Sequence, residues 1–311
     1  MSCQRFCLLV LLWLAQGMPS AIAKNLTPLP VTEIDHGIFV HSGVQQEASA
    51  ANLGAIANVG FIIGEKCVAV IDTGGSLREG EELRNAVQAR TNLPICYVVN
   101  THVHPDHLFG NAAFKKDKPK FVGHAKLPAA MAAREQGYVK SLQRDLGEAA
   151  TGSEFVPPNT LVTSVLELDL GNRILQLRAW KTAHTDNDLT VYDVKTGSLW
   201  LGDLLFVERV PVVDGSVRGW LSTLVDLRTM PVRHAIPGHG PVQNSWPQAL
   251  DSETRYLSTV QDGVRAAIRA RLTLQKAVDS VGTGERGNWL LFDEYHRRNV
   301  TAAYAELEWE D

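Results

Sequence analysis

The segment Asn100–His107 constrains this chain more than any other stretch of its sequence. It places three histidines and one aspartate within six positions, whereas the whole chain contains ten histidines. A short apolar run, Ile95–Val99, precedes the segment and predicts a buried strand. Neutral imidazole and carboxylate groups are ligands that zinc prefers. The sequence therefore predicts a metal site where this strand ends, in preference to a loop that carries a few solvated histidines.

The first residues are typical of an export signal. Arg5 supplies a positive charge, residues 6–15 are almost wholly apolar, and the small-residue pattern Ala21-Ile22-Ala23 follows. This pattern predicts a signal peptide over residues 1–23 and a secreted or periplasmic protein. The apolar run is shorter than the ~20 residues that span a bilayer, so an uncleaved anchor is the less favoured alternative. No membrane span is expected after removal of the signal.

The charge balance excludes two classes of partner. The chain has 30 basic and 34 acidic side chains, a formal net charge of −4, and no basic tract. Nucleic acid and anionic membranes are therefore not expected to bind it.

Two cysteines lie outside the predicted signal, Cys67 and Cys96. Each stands early in an apolar run that reads as a strand. An exported protein can hold a disulfide, but nothing in the cysteine count requires one. The sequence favours two buried free thiols and leaves open a bridge between neighbouring strands.

The order of predicted elements indicates an α/β fold. The apolar run Lys66–Ile71 ends in Asp72, an amphipathic helix follows near Ser76–Thr91, and Ile95–Val99 is the next strand. A strand, a helix and a strand in this order predict a parallel pair with a crossover helix. Because ligands gather at the carboxyl ends of such strands, we expect Asp72 and His102 to lie at one edge of the sheet.

The second half of the chain also begins with strands and ends in helices. Two alternating runs flank Gly171-Asn172 and predict a hairpin, and helices are predicted over residues 246–281 and Phe292–Leu307. We therefore predict two β-rich halves packed face to face with helices outside. Residues 24–311 are predicted to form one domain that includes the C-terminal helices from about residue 246.

Three later positions offer further ligands where apolar runs pass into loops, namely His184, Asp203 and His239. Each is weak evidence alone, because a lone histidine is more often a capped loop residue and a Gly-Asp pair is more often a turn. Their occurrence in this order, after the first cluster, favours a shared site.

Together these motifs resemble the metallo-β-lactamase fold superfamily of metallohydrolases. The resemblance covers roughly residues 34–240 and the C-terminal helices, and it also includes Ile71-Asp72-Thr73-Gly74. It implies an α/β fold that is a four-layer αββα sandwich. It further implies one metal held by three histidines, a second metal held by three other side chains, and a bridging carboxylate. These groups are His102, His104 and His184; Asp106, His107 and His239; and Asp203.

The implied ligand set has a clear chemical use. Two dications about 3.5–4 Å apart acidify a shared water and polarise a carbonyl oxygen. The resemblance implies two Zn²⁺ per chain, with iron or manganese as alternative metals. Asp106 is predicted to be catalytic, by steering the attacking hydroxide or accepting its proton. Asp72 is predicted to orient a ligand histidine from behind rather than to bind metal.

Five histidines remain outside this set. His124 is expected to be structural, and a role in orienting a ligand is the less favoured alternative. The others are not expected to bind metal: His36, His41, His234 and His296.

Asp203 separates the chain from the better-known β-lactamases, which tend to carry Cys or Ser at that place. An aspartate there resembles glyoxalase II and related thioester, ester and lactone hydrolases. Residues 183–189, 199–206 and 295–300 are similar to exported SoxH-related proteins described as quinoprotein relay system zinc metallohydrolases. This narrower resemblance implies a periplasmic setting and a quinoprotein dehydrogenase as a candidate partner.

The favoured function is an exported dinuclear zinc hydrolase of a small ester, thioester, lactone or lactam, with β-lactamase activity less favoured. One alternative is a mononuclear iron oxygenase acting on a persulfide, which needs only two histidines and one carboxylate. Another is a non-enzymatic metal-binding accessory protein. Metal content and turnover of a substrate panel would separate the three.

Overall fold

Two β-sheets form the centre of the molecule. The computed structural model describes residues 26–310, so the predicted signal peptide lies outside the described residues. The seven strands of the first sheet pair in chain order: β1 (Thr32–Asp35), β2 (Ile38–His41), β3 (Val59–Ile63), β4 (Val68–Ile71), β5 (Ile95–Val99), β6 (Lys120–His124) and β7 (Thr160–Val162). The second sheet has the order β12-β11-β10-β9-β8: β8 (Val165–Asp169), β9 (Ile174–Ala179), β10 (Leu189–Asp193), β11 (Ser198–Phe206) and β12 (His234–His239).

Helices cover the outer faces of both sheets. The α-helices of residues 26–310 are α1 (Leu77–Arg90), α2 (Pro105–Leu108), α3 (Leu127–Leu146), α4 (Val217–Leu227), α5 (Asp251–Arg269), α6 (Leu274–Ser280) and α7 (Phe292–Leu307). Short 3-10 helices occupy Phe109–Asp117, Gly147–Ala150, Gln248–Leu250 and Thr283–Asn288. Within the described part of the chain, none of these helices combines the length and apolar character needed to cross a bilayer.

Three apolar interfaces separate four layers. Between the sheets, buried side chains such as Ile71 and Val99 of the first sheet meet Val191 and Trp200 of the second. The other face of the first sheet packs on α1 and the adjacent 3-10 helix, and the other face of the second packs on α4 to α7. Each fully buried Leu, Ile or Val contributes about 1.5–3 kcal/mol. The predicted αββα sandwich is confirmed.

The predicted crossover unit has the expected geometry. β4 and β5 pair in parallel, and α1 connects them. Ser76 begins the helix because its Oγ accepts the N–H of Glu79, whose Oε2 in turn accepts the N–H of Gly75. This unit places Asp72, directly after β4, beside the segment that follows β5.

Two sequence-based boundaries were wrong. The apolar run over residues 55–63 predicts a strand, but β3 begins only at Val59, because the side chain of Asn58 donates to the carbonyl oxygens of Pro237 and Gly240. The helix predicted over residues 246–281 is divided into α5 and α6 by a turn in which Arg271 has a φ of 55°. A non-glycine residue in this left-handed region interrupts a helix.

Cys67 and Cys96 form a disulfide, which corrects the preference for free thiols. Cys67 directly precedes β4, and Cys96 lies in β5. Because the two strands are parallel neighbours, the cysteine Cα atoms are only 5.8 Å apart, within the range that a bridge needs. The sequence predicted this parallel pair of strands, but not the register that brings the two cysteines together.

Reduction of this disulfide should lower the free energy of unfolding by about 3–4 kcal/mol, because the bridge spans 29 residues of the unfolded chain. Urea unfolding with and without reductant measures the difference. A Cys67→Ala/Cys96→Ala variant is the control, since reductant should leave its stability unchanged. Quantitative alkylation of both cysteines in unreduced, unfolded protein would contradict the prediction.

Candidate metal centre

The seven side chains predicted as metal ligands converge at one edge of the two sheets. The β5–α2 segment beside the first sheet supplies four of them, and the second sheet and its loops supply three. They are His102 and His104 before α2, Asp106 and His107 within α2, His184 between β9 and β10, Asp203 within β11, and His239 at the end of β12. The site therefore needs both halves of the sandwich.

The first group consists of the three histidines His102, His104 and His184 together with Asp203. His184 Nε2 lies 2.9 Å from His104 Nδ1 and 3.3 Å from Asp203 Oδ2. His102 Nε2 is 3.6 Å from the same oxygen. Three nitrogens and one oxygen thus surround a single point.

The second group consists of Asp106, His107 and His239. Asp106 Oδ2 lies 3.3 Å from His239 Nε2 and 3.7 Å from His107 Nε2. Asp203 turns its other oxygen, Oδ1, toward this group, 3.1 Å from His107 Nε2 and 3.4 Å from His239 Nε2. Asp203 therefore faces both groups, with one carboxylate oxygen on each.

Unpaired polar atoms show that this cluster fits cations. Within residues 26–310, His102 Nε2, His107 Nε2 and Asp203 Oδ1 are buried and have no hydrogen-bond partner. A buried polar atom left unpaired costs about 1–3 kcal/mol. Divalent metal ions held by the two groups would satisfy all three atoms, and the His/Asp donor set suits such ions.

The other ring nitrogen of each histidine in the cluster is held by a protein oxygen. This arrangement fixes the ring and its tautomer, as metal-binding histidines require. The pairs are His102 Nδ1 with Thr101 Oγ1, His104 Nε2 with Asp214 Oδ2, His107 Nδ1 with Asp72 Oδ2, His184 Nδ1 with the Val212 carbonyl, and His239 Nδ1 with the Ile56 carbonyl, at 2.7–3.2 Å.

The charges of the cluster favour bound cations. Burial alone would raise the pKa of Asp203, but His239, His107 and His102 hold it well below its usual range. Burial opposes protonation of His107, yet the carboxylates, Asp203 first, raise the pKa of that ring. Burial lowers the pKa of His184 to about 3, so its nitrogen lone pair is free. The carboxylates are thus ionised and draw positive charge to this point.

Asp72 lies behind His107 rather than among the ligand atoms. Its Oδ2 accepts from His107 Nδ1 at 2.8 Å, and its two oxygens accept the N–H and hydroxyl of Thr101. A φ of 52° at the end of β4 aims this carboxylate at the ring. These contacts are those of a residue that orients a ligand.

Asp214 performs the same task for His104, and sequence reasoning missed it. Its Oδ2 lies 3.2 Å from His104 Nε2, and its Oδ1 accepts from Arg298 at 3.2 Å. Burial would raise the pKa of Asp214, but His104 and Arg298 hold it well below its usual range. In the sequence the residue precedes Gly215 and reads as part of a turn, so no local signal marks it.

Close packing explains why a glycine stands at position 238, next to the candidate ligand His239. A Cβ on Gly238 would collide with Asp203 Oδ1. Gly238 therefore leaves the room that the shared carboxylate needs between β11 and β12.

A cleft of about 190 Å³ opens onto the cluster. Asp106, Asp203 and His239 form its floor, and its walls include Tyr138, Phe206, Arg209, Tyr295 and Arg298. The loop over residues 42–54 reaches its rim, where Glu47 accepts a hydrogen bond from Tyr295. Tyr295 packs against the core of the second half and also reaches this opening.

The rings of four other histidines form hydrogen bonds away from the cluster. His124 accepts from the N–H of Lys126 at 3.0 Å, as a structural residue would. Other histidines have these partners: His41 with the Pro30 carbonyl, His234 with Asn244 and Asp35, and His296 with Tyr256 and the Val281 carbonyl.

Solved structures share this fold, and one curated protein is similar to the chain in sequence. A "Metallo-beta-lactamase type 2" from Bacillus sp. (strain 170) is 22% identical over 236 residues, covering 73% of this chain and 83% of that protein. A metallo-beta-lactamase from Pontibacter korlensis has a TM-score of 0.60 and 19% identity, covering 74% of this chain and 99% of its own. A variant of the sec-alkyl sulfatase PisA1 has a TM-score of 0.70 and 16% identity, covering 90% of this chain and 50% of its own.

At these identities the structural likeness shows the fold alone. The family assignment rests on the sequence profile of the Metallo-beta-lactamase superfamily, which matches residues 54–239. That range covers more than half of the chain and includes every residue of the His/Asp cluster. This protein belongs to the metallo-beta-lactamase superfamily.

Proposed function

We propose that this chain is an exported dinuclear zinc hydrolase that acts on a small ester, thioester, lactone or lactam. The observation that carries the proposal is the position of Asp203, which turns one oxygen toward each group of ligands. A carboxylate placed in this way supports two cations better than one. The predicted export signal supports a secreted or periplasmic site of action.

Each part of the cluster has a role in this proposal. His102, His104 and His184 would hold one ion, Asp106, His107 and His239 the other, and Asp203 both. Zinc bound there would supply an acidified water and a Lewis acid for the substrate carbonyl. Asp106 lines the cleft and is kept ionised, because His107 and His239 outweigh its burial and lower its pKa. It can therefore orient the nucleophile through its ionised oxygens, whereas the lowered pKa does not favour the alternative role of proton acceptor.

The cleft supports a small substrate that carries negative charge. Arg209 and Arg298 stand in its walls, and a second cleft of about 370 Å³ continues from it along Tyr138 and Arg298. Tyr138, Phe206 and Tyr295 supply aromatic surface for an apolar part of the substrate. A carbonyl compound with a carboxylate and a short apolar group would match these walls.

The other candidate functions fit these observations less well. A mononuclear iron oxygenase needs only two histidines and one carboxylate, whereas this cluster offers two complete groups of donors. A metal-binding accessory protein would have no use for a cleft that opens onto the ligands. A periplasmic quinoprotein partner remains a prediction from the sequence resemblance.

A substrate panel tests the proposal. Zinc-loaded protein should hydrolyse at least one member of a set of thioesters, lactones, esters and cephalosporins, and Asp203→Ala protein should not. A secondary alkyl sulfate belongs in the panel because of the likeness to PisA1. Turnover of the sulfate alone would move the assignment to sulfate esters. If zinc-loaded protein leaves every member intact, the hydrolase proposal is rejected and an accessory role is favoured.

A further inference from the structure

The buried side chain of Asn299, in helix α7, forms hydrogen bonds with the backbone on both sides of Val212. Its Oδ1 accepts the N–H of Val213 at 2.9 Å, and its Nδ2 donates to the carbonyl of Pro211 at 2.6 Å. The second hydrogen of Nδ2 goes to the hydroxyl of Tyr256 at 2.8 Å. Asn299 is fully buried, so these bonds have no competition from water.

The two backbone bonds set the orientation of this amide, because only Oδ1 can accept from an N–H and only Nδ2 can donate to a carbonyl, and the groups behind the amide agree with it. His296 Nε2 lies 2.8 Å from the Val281 carbonyl and must donate to it, so His296 Nδ1 accepts from the Tyr256 hydroxyl at 2.9 Å. The Tyr256 oxygen is then an acceptor toward Asn299. A flipped amide would present its oxygen to both Tyr256 and the Pro211 carbonyl, and neither could donate to it.

Val212, the residue between these two backbone contacts, forms a hydrogen bond with a histidine of the candidate metal centre. The Val212 carbonyl accepts from His184 Nδ1 at 2.7 Å, and the next residue but one, Asp214, holds His104. The N–H of Asp214 also donates to the backbone carbonyl of His184 at 3.2 Å. Residues 211–214 therefore orient two histidines of the first group, and Asn299 holds this segment in place.

We propose that Asn299 is a positioning residue for the first metal group: it fixes the Val212 carbonyl and thereby the ring of His184. The inference rests on the proposed function, since it takes His184 as a metal ligand. Helix α7 would thus support a ligand, His184, that lies far from it in the sequence. Loss of an outer partner of this kind typically weakens metal binding by about 10–100-fold.

Other contacts keep the segment near its place when Asn299 is changed. Glu306, also in α7, accepts from the Ser216 hydroxyl at 2.6 Å and from the N–H of Val217 at 2.7 Å. Arg298 contacts Asp214. A substitution of Asn299 should therefore loosen the Val212 carbonyl without releasing the whole loop.

Titration of metal-free protein with Co²⁺ alone tests the inference, because the visible absorption of Co²⁺ reports each bound ion. Asn299→Leu removes all three hydrogen bonds at similar side-chain volume. Tyr256→Phe is the matched control, since it removes one buried bond of Asn299 but leaves those to Pro211 and Val213. A His184→Ala variant identifies the absorption of the first group.

Asn299→Leu should weaken Co²⁺ binding at the first group about 10–100-fold and leave the second group unchanged. Tyr256→Phe should lower stability but leave both affinities as in the wild type. Equal affinities in Asn299→Leu and wild-type protein would overturn the inference, as would an equal loss at both groups.

If Asn299→Leu does not fold, Asn299→Ala is titrated instead, because the smaller side chain admits water to the freed backbone groups. Loss of the fold in both variants would assign Asn299 to general stability and overturn the inference. Absence of Co²⁺ binding by wild-type protein is a distinct result, which rejects the proposed function itself.

Discussion

Replacement of Asp203 by alanine should lower kcat/KM by more than about 100-fold. Loss of a residue that only hydrogen-bonds a metal ligand typically costs about 10–100-fold in metal affinity or activity, and loss of a ligand should cost more. The reason is its position: its two oxygens lie 3.3 Å from His184 Nε2 and 3.1 Å from His107 Nε2, so one substitution removes a donor from both groups. Metal content should fall at both groups together. Kinetics and elemental analysis of the same preparation measure the two effects.

Glu253→Gln is the matched control for that substitution. Glu253 is a buried carboxyl near Asp203 whose Oε1 accepts the N–H of Phe206, and burial raises its pKa well above the usual range. Burial therefore favours its neutral form, which glutamine imitates. This variant should keep its metal and its activity. Retention of two metal ions by Asp203→Ala protein would refute the shared role of Asp203.

Removal of divalent metal by a chelator should abolish hydrolysis and destabilise the fold. An ion that binds only the folded chain, at a free concentration a thousand times its Kd, contributes about 4 kcal/mol, and two groups can each contribute. The buried atoms His102 Nε2, His107 Nε2 and Asp203 Oδ1 lose their partners when the ions leave. Thermal unfolding of chelated and zinc-reloaded protein measures the change in stability.

His184→Ala protein is the control for metal removal. It retains the second group of donors, so the chelator should destabilise it less than the wild type. Elemental analysis of the purified wild type should give close to two zinc ions per chain. One iron ion without zinc would contradict the dinuclear zinc proposal, and an unchanged melting temperature after chelation would contradict metal binding altogether.

Local pattern was sufficient for much of the fold. The strand Ile95–Val99 and the helix Phe292–Leu307 have the bounds that their apolar periodicity predicted, and the hairpin across Gly171-Asn172 is present as β8 and β9. In each case the hydrophobic period and the turn residues lie within a few positions of one another. Such signals need no knowledge of the rest of the chain.

The supports of the metal centre could not be predicted in this way. Asp214, the Val212 carbonyl and Asn299 act on histidines that lie far from them in the sequence, and no spacing rule connects them. Backbone carbonyls carry no sequence signature at all. The candidate ligands were recognisable because histidines and aspartates recur where apolar runs end, in the order of a known family, whereas the groups behind them are ordinary residues in a particular tertiary arrangement.

The distribution of ligands over both sheets also determines when the centre can form. The four donors beside the first sheet are complete by His107, but Asp203, His239 and the supporting Asn299 follow much later in synthesis. A growing chain that has made only the first sheet lacks the carboxylate that joins the two groups. At the proposed centre, metal capture would therefore be a late event of biogenesis, and a chain exported unfolded would arrive without metal and load it at its destination.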